Sequence, residues 1–227
     1  MNPTATSRNE RLRLTGILGG IAAMAAIVAL SNFLVQFPLQ VRIGPVNLAD
    51  LLTWAAFTYP VTFLVTDLVN RFFGPRAARK VVYAGFALAV ALSIWLATPR
   101  IAIASGSAFL VAQLLDVFVF NRLRNNPRWW VPPMTSSVIG SLVDTFVFFS
   151  LAFAATLSFI GPNDAFAIGT APLLGILPLE APRWMSWALG DLSVKLLMAT
   201  VLLAPYSLLR TALMRLLGLR ENAIGAA

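Results

Sequence analysis

Phe109–Arg124 reads FLVAQLLDVFVFNRLR. Its apolar residues suit the middle of a membrane helix, yet Gln113 and Asp116 share one face, and Asn121, Arg122 and Arg124 close the run abruptly. In water this would be an ordinary amphipathic helix. In lipid each buried polar group is costly, so the solvent decides the fold. Of the 227 residues, 59% are hydrophobic and 11% charged, and the mean hydropathy is +0.80. Such a composition selects the membrane. The 14 Gly and 14 Pro within apolar runs fit a transmembrane bundle better than a water-soluble helical core. With no Cys and no His, thiol chemistry, disulfides, zinc ligation and imidazole-based hydrolysis are excluded. The net charge of +8 lies beside the apolar runs, so phospholipid headgroups rather than nucleic acid are the anionic partner.

Working outward from this run, six segments have the length needed to cross a hydrocarbon core: about 14–37, 48–73, 81–98, 102–120, 134–160 and 185–209. The expected fold is all-α, a polytopic helical bundle forming a single transmembrane domain over 14–217. Disordered cytoplasmic tails are expected at 1–13 and 218–227. The first span is long and is followed by others, which marks it as an uncleaved helix rather than a signal peptide. Pro60 interrupts the second. The piece from Gly161 to Arg183 is apolar but rich in Gly and Pro, and is expected as an external loop with a short interfacial or re-entrant helix. Reading it as a seventh span is the alternative.

Charge orients the bundle. Thirteen basic residues flank the spans on one side, among them Arg71, Arg76, Arg79, Lys80, Arg122, Arg124 and Arg128, against Arg42, Arg100 and Arg183 on the other. The positive-inside rule then puts both termini in the cytoplasm, which requires an even number of spans.

The polar residues inside the spans recur at helical spacing, so each group forms one stripe: Thr66, Asp67 and Asn70; Gln113 and Asp116; Ser137, Ser141 and Asp144; Asp191 and Lys195. Four such stripes can line one cavity. Each also has a plainer reading. Asp67 and Arg71 stand at i,i+4 and can settle a helix end as an ion pair, and Gln113 can hydrogen-bond a neighbouring helix. Asp191 and Lys195 can neutralise one another, although a buried pair still costs desolvation. Asp144 has no base nearby in its own span. Asn32 and Asn121 are further candidates. Gln113 and Asp116 are expected to face the central cavity, with Asp144 and the Asp191–Lys195 pair opposite, and Arg122 and Arg124 to hold the helix end at the headgroups. No GxxxxGK[ST], GxSxG or metal-binding carboxylate motif is present, so a carrier is expected, not an enzyme, and no cofactor or metal.

Four stretches together resemble a known family: SNFLVQFP (Ser31–Pro38), WAAFTYPVTFLVTDLVNRFFGPRAARKVV (Trp54–Val82), AQLLDVFVFNRLRNNPRWWVPPMTSSVIGSLVDTFVFFSLAF (Ala112–Phe153) and ALGDLSVKLLMA (Ala188–Ala199). The chain is similar to bacterial inner-membrane queuosine precursor transporters, also described as vitamin uptake transporters. The resemblance implies import of 7-cyano- and 7-aminomethyl-7-deazaguanine, and marks Thr66 and Asp67 with Arg71, the Gly74 turn with Arg79, Gln113 with Asp116, Asn121 with Arg122, Asp144 with Phe148, and Asp191 with Lys195. Gly140-Ser141 stands where the family commonly has Gly-Asn, and bears on Ser141 as a ligand contact. A carboxylate can accept the N1–H and exocyclic amine of a deazaguanine together, an amide can serve its carbonyl, and Phe118, Phe120, Phe146, Phe148 and Phe149 are candidates to stack on the ring. Self-association and the source of energy stay open at this point.

Overall fold

The structure is a computed structural model that describes residues 3–218. Nine helices carry these residues: α1 (Pro3–Leu34), α2 (Ala55–Thr58), α3 (Val61–Phe73), α4 (Pro75–Leu96), α5 (Pro99–Leu123), α6 (Val131–Phe153), α7 (Ala165–Ile168), α8 (Arg183–Val201) and α9 (Leu203–Leu217). Two small antiparallel hairpins join them, β1 (Arg42–Ile43) with β2 (Val46–Asn47), and β3 (Thr170–Pro172) with β4 (Glu180–Pro182). Among the described residues, five helical stretches are long and apolar enough to cross a membrane: Glu10–Leu34, Pro75–Leu96, Pro99–Leu123, Val131–Phe153 and the joined Arg183–Leu217.

The expected second span departs most from this picture. Residues 48–60 do not continue the helix: Leu48–Asp50 is a single 3-10 turn, α2 has only 4 residues, and α3 begins after Pro60. At about 1.5 Å per residue, the 13 residues of α3 reach about 20 Å, short of a ~30 Å core. Pro60 lacks the N–H a continuous helix would use. The hydroxyls of Thr58 and Thr62 donate to the backbone carbonyls of Ala55 and Tyr59, beside the N–H bonds those carbonyls already accept. Broken backbone at such a place is tolerated where it lines a cavity.

The other boundaries move for local reasons. Residues 3–13, expected as a disordered tail, belong to α1, while the tail expected beyond Gly218 lies outside the described residues. Pro75 and Pro99 open α4 and α5, where a missing N–H costs nothing. Gly74, at φ 83, makes the turn between α3 and α4, a backbone conformation that side chains disfavour. The sixth span pauses at Leu202, because Pro205 cannot donate to Val201, and then runs on to Leu217. The Gly161–Arg183 piece holds α7 and the β3–β4 hairpin and no long helix.

Packing sets the directions of the helices. A side chain at Gly16 would collide with the Phe73 ring, so α1 lies close against the end of α3, while Ser31 bonds Thr58 Oγ1 at 2.9 Å near its start. The two therefore run antiparallel. Met24, Val28, Val69, Val81, Val82, Phe109 and Val117 form the tight apolar core between α1, α3, α4 and α5. The starts of α1, α4 and α6 and the ends of α3, α5 and α9 share one end, which carries most of the Arg residues. The hairpins and α7 gather at the other.

Candidate functional site

A cavity of about 830 Å³ reaches from the hairpin end into the middle of the bundle. Its size falls within the range of about 300 to 1,000 Å³ that suits small organic ligands. The broken segment Ala49–Tyr59 forms one wall, α6 and α8 form another, and Phe166 with the β3–β4 hairpin covers part of it.

At its floor three charges meet. Lys195 Nζ lies 2.6 Å from Asp144 Oδ2 and 2.5 Å from Asp191 Oδ2, and also donates to Thr145 Oγ1 at 3.2 Å. The Thr145 hydroxyl donates to Asp191 Oδ2 at 2.9 Å. One ammonium is thus shared by two carboxylates, which leaves the group with one formal negative charge. Helix periodicity builds it: Arg183, Trp187, Asp191 and Lys195 follow at four-residue steps down one face of α8, and Asp144 and Phe148 do the same on α6. Tyr59, freed from a continuous helix by Pro60, presents its ring 5.8 Å from the ammonium.

Above the charges stand flat walls. Phe148 packs edge-on to Phe149 and Phe153, Phe153 meets Trp187 at 5.5 Å, and Trp187 stacks on Phe166 with the rings 28° apart. The Arg183 guanidinium caps Phe166 at 4.5 Å from its ring centroid. Asn32 also lines the cavity; its amide donates to Val28 O within α1.

The rest of the expected stripes do not reach this cavity. Gln113 sits buried between α3 and α5, donating to Thr62 Oγ1 at 2.7 Å and accepting from Thr66 Oγ1 at 2.7 Å. Its amide is engaged on both sides, contrary to the expectation that it faces the cavity. Asn70 is likewise consumed, donating to Val117 O at 3.0 Å. Asp116 is 0% exposed, and its carboxyl lies against that of Asp67 with the Ser136 hydroxyl beside both. Ser136 donates to Asp67 Oδ1 at 3.3 Å. Ser141 is buried off the cavity, and Asn121 lies exposed at the end of α5, where its carbonyl accepts the backbone N–H of Arg124. Phe118 and Phe146 face outward and Phe120 is core, so of the candidate stacking rings only Phe148 and Phe149 line the cavity.

Arg124 corrects a further expectation. Rather than only resting at headgroups, it donates to Arg71 O at 2.8 Å while Arg71 donates to Arg124 O at 2.6 Å, a reciprocal clamp that ties α3 to α5 at the basic end. Arg100 was expected merely as an external charge. It is 3% exposed and donates to the carbonyls of Leu151, Ala154, Gly161 and Pro162 and to Asn163 Oδ1. It thereby gathers the end of α6, where orphan carbonyls need donors, onto the start of α5. Tyr59, Trp187, Phe166 and Arg183 line the cavity without having been singled out from the sequence, and neither was Thr145, which bonds Asp191 and Lys195. The four-residue steps back from Lys195 were the available signal for Trp187 and Arg183.

The sequence pattern of the family described as "Putative vitamin uptake transporter" matches residues 53–209, from the broken segment to α9. The chain belongs to this family. A queuosine precursor transporter of Escherichia coli strain K12 is 34% identical over 224 residues, spanning 88% of this chain and 90% of that one. A probable queuosine precursor transporter of Haemophilus influenzae is 34% identical over 205 residues, spanning 79% of each. A probable queuosine precursor transporter of Bacillus subtilis is 30% identical over 122 residues, 42% of this chain and 53% of that one. No solved structure gives a significant match. The family member described here is a multi-pass membrane transporter, and its role is transport rather than catalysis.

Proposed function

We propose that this chain imports the deazapurine precursors of queuosine, 7-cyano-7-deazaguanine and 7-aminomethyl-7-deazaguanine, across the bacterial inner membrane. The observation that carries the reading is the cavity floor, where two carboxylates share one ammonium beneath flat aromatic walls. A deazaguanine offers adjacent N1–H and amine donors to a carboxylate and a flat ring to Phe148 and Trp187. Asp144 takes that donor edge, Asn32 reaches a polar edge of the ring, and Asp191 with Lys195 holds the balance of charge. The formal negative charge of the group favours the aminomethyl cation, while the aromatic walls serve both forms alike. The names of the curated relatives support the same substrate class.

The chain crosses the membrane six times as one domain over 14–217, with α2 and α3 together making the second, broken crossing and both termini in the cytoplasm. The Arg-rich end supports this orientation. Reporter fusions at the C-terminus and in the loop around Gly74 then report cytoplasm, and fusions within Gly161–Arg183 report the outside. A C-terminal fusion reporting the outside removes the six-crossing reading. The substrate is tested by rescue of tRNA queuosine in a precursor-auxotrophic bacterium lacking its own importer. Rescue at limiting precursor is expected, and failure at matched membrane abundance removes the substrate assignment.

A further inference from the structure

The Asp67–Asp116 pair takes no part in the cavity. Asp67 is 1% exposed and Asp116 0%, and neither forms an ion pair among the described residues. Ser136 donates to Asp67, but among the described residues no donor completes a hydrogen bond to either oxygen of Asp116. Toward the basic end stand the titratable or charged groups Tyr206, Arg71, Arg124 and Arg210. Arg71 and Arg124 bond each other's carbonyls, and Tyr206 stacks on Trp129. Two adjacent buried carboxyls outside any ion pair have one ready solution, a proton held between them.

A line of polar groups runs from the cavity wall toward this pair. Tyr59 lines the cavity, the Thr62 hydroxyl donates to Tyr59 O at 2.7 Å, Gln113 donates to Thr62, and Thr66, next to Asp67, donates to Gln113. On the other side, a void of about 10 Å³ between Asp67, Ser137 and Tyr206 faces the basic end. It is close to the smallest space that holds one water. An apolar seam would have been less costly than this line of buried polar groups unless something uses it.

We propose that the Asp67–Asp116 pair is the proton site that energises transport, separate from the ligand cavity. In each cycle an O–H bond of hydronium on the cavity side breaks, leaving water behind, as one forms on a carboxyl oxygen. The same bond breaks when the proton passes to water at the basic end, so one proton moves inward with each ligand. The inference rests on the chain being a transporter, and not on the identity of its ligand.

The test uses the full chain, purified and reconstituted, in two arms. Without ligand, infrared difference spectra across a pH titration read the protonated-carboxyl C=O stretch. A titrating band that disappears in Asp116→Asn and in Asp67→Asn is expected, and a band unchanged in both variants overturns the proposal. In liposomes carrying an acid-outside gradient, uptake of labelled 7-aminomethyl-7-deazaguanine is measured beside gradient-free counterflow of the same compound. For one proton per ligand, wild type accumulates it about tenfold per pH unit of gradient. Asp116→Asn is expected to equilibrate the compound without accumulation while counterflow persists. Accumulation by Asp116→Asn equal to wild type, or wild-type counterflow without any response to the gradient, overturns the proposal. Absence of counterflow in wild type removes the substrate assignment instead, and the infrared arm still decides the proton site.

Discussion

Both halves of the bundle hold a pair of aspartates within the helices, and they treat them oppositely. At the cavity floor Asp144 and Asp191 hold Lys195 between them, with Thr145 completing the set. Toward the basic end Asp67 and Asp116 face each other with one serine hydroxyl and no ammonium. The first pair opens onto 830 Å³ of space, while the second borders a void of about 10 Å³. A carboxylate within a membrane span therefore has no fixed meaning. Its partners and its access to open space decide whether it meets a ligand or something as small as a proton.

The comparison is broken most severely at Lys195. Lys195→Met strands the buried Asp144 carboxylate and the partly buried one of Asp191, and removing one partner of a buried ion pair costs about 3–5 kcal/mol. Loss of uptake and a marked fall in thermal unfolding temperature in detergent are expected. Adding Asp144→Asn to Lys195→Met should recover much of the stability but none of the uptake, whereas a single Lys195→Met as stable as wild type would show that the shared ammonium carries little weight.

A smaller effect separates the halves at Gln113. Gln113→Leu leaves the Thr62 and Thr66 hydroxyls without their partner, at about 1–3 kcal/mol for buried groups left unsatisfied. Stability should fall while ligand affinity, measured by calorimetry, stays within about threefold of wild type. An affinity loss far beyond that would place Gln113 at the ligand after all.

The smallest expected effects sharpen the aromatic wall. Phe148→Leu should weaken binding by an amount worth about 0.5–1.5 kcal/mol, the usual scale of a ring contact beyond its area. Phe118→Leu, on a ring 66% exposed on the outer face of α5, should leave binding unchanged. Equal losses in both would mean that the wall does not hold the ring.

Much of the bundle was legible because hydropathy and span length report the solvent directly, and the polar spacings placed Asp191 with Lys195 and Asp144 with Phe148 on single helix faces. What periodicity could not reveal is what each face meets. Gln113 and Asp116 form as regular a stripe as Asp191 and Lys195, but the partners of Gln113 lie on α3, 47 and 51 residues away. The burial of Arg100 depends on carbonyls 51 or more residues along the chain. Pro60 was visible as an interruption. That the chain before it would leave the helix altogether was not, although Gly44-Pro45 marked a turn between β1 and β2. An apolar segment that leaves helical form to line a cavity still reads as a span.

In the proposed binding mode the ligand sits at Asp144 and not at Asp116. The most direct test measures equilibrium binding of 7-aminomethyl-7-deazaguanine by purified wild type, Asp144→Asn and Asp116→Asn, each shown to be folded by its unfolding temperature. The account predicts a Kd raised about tenfold or more in Asp144→Asn, for a contact worth about 1.4 kcal/mol, and a change within about threefold in Asp116→Asn. A Kd unaltered by Asp144→Asn and raised tenfold or so by Asp116→Asn would contradict it.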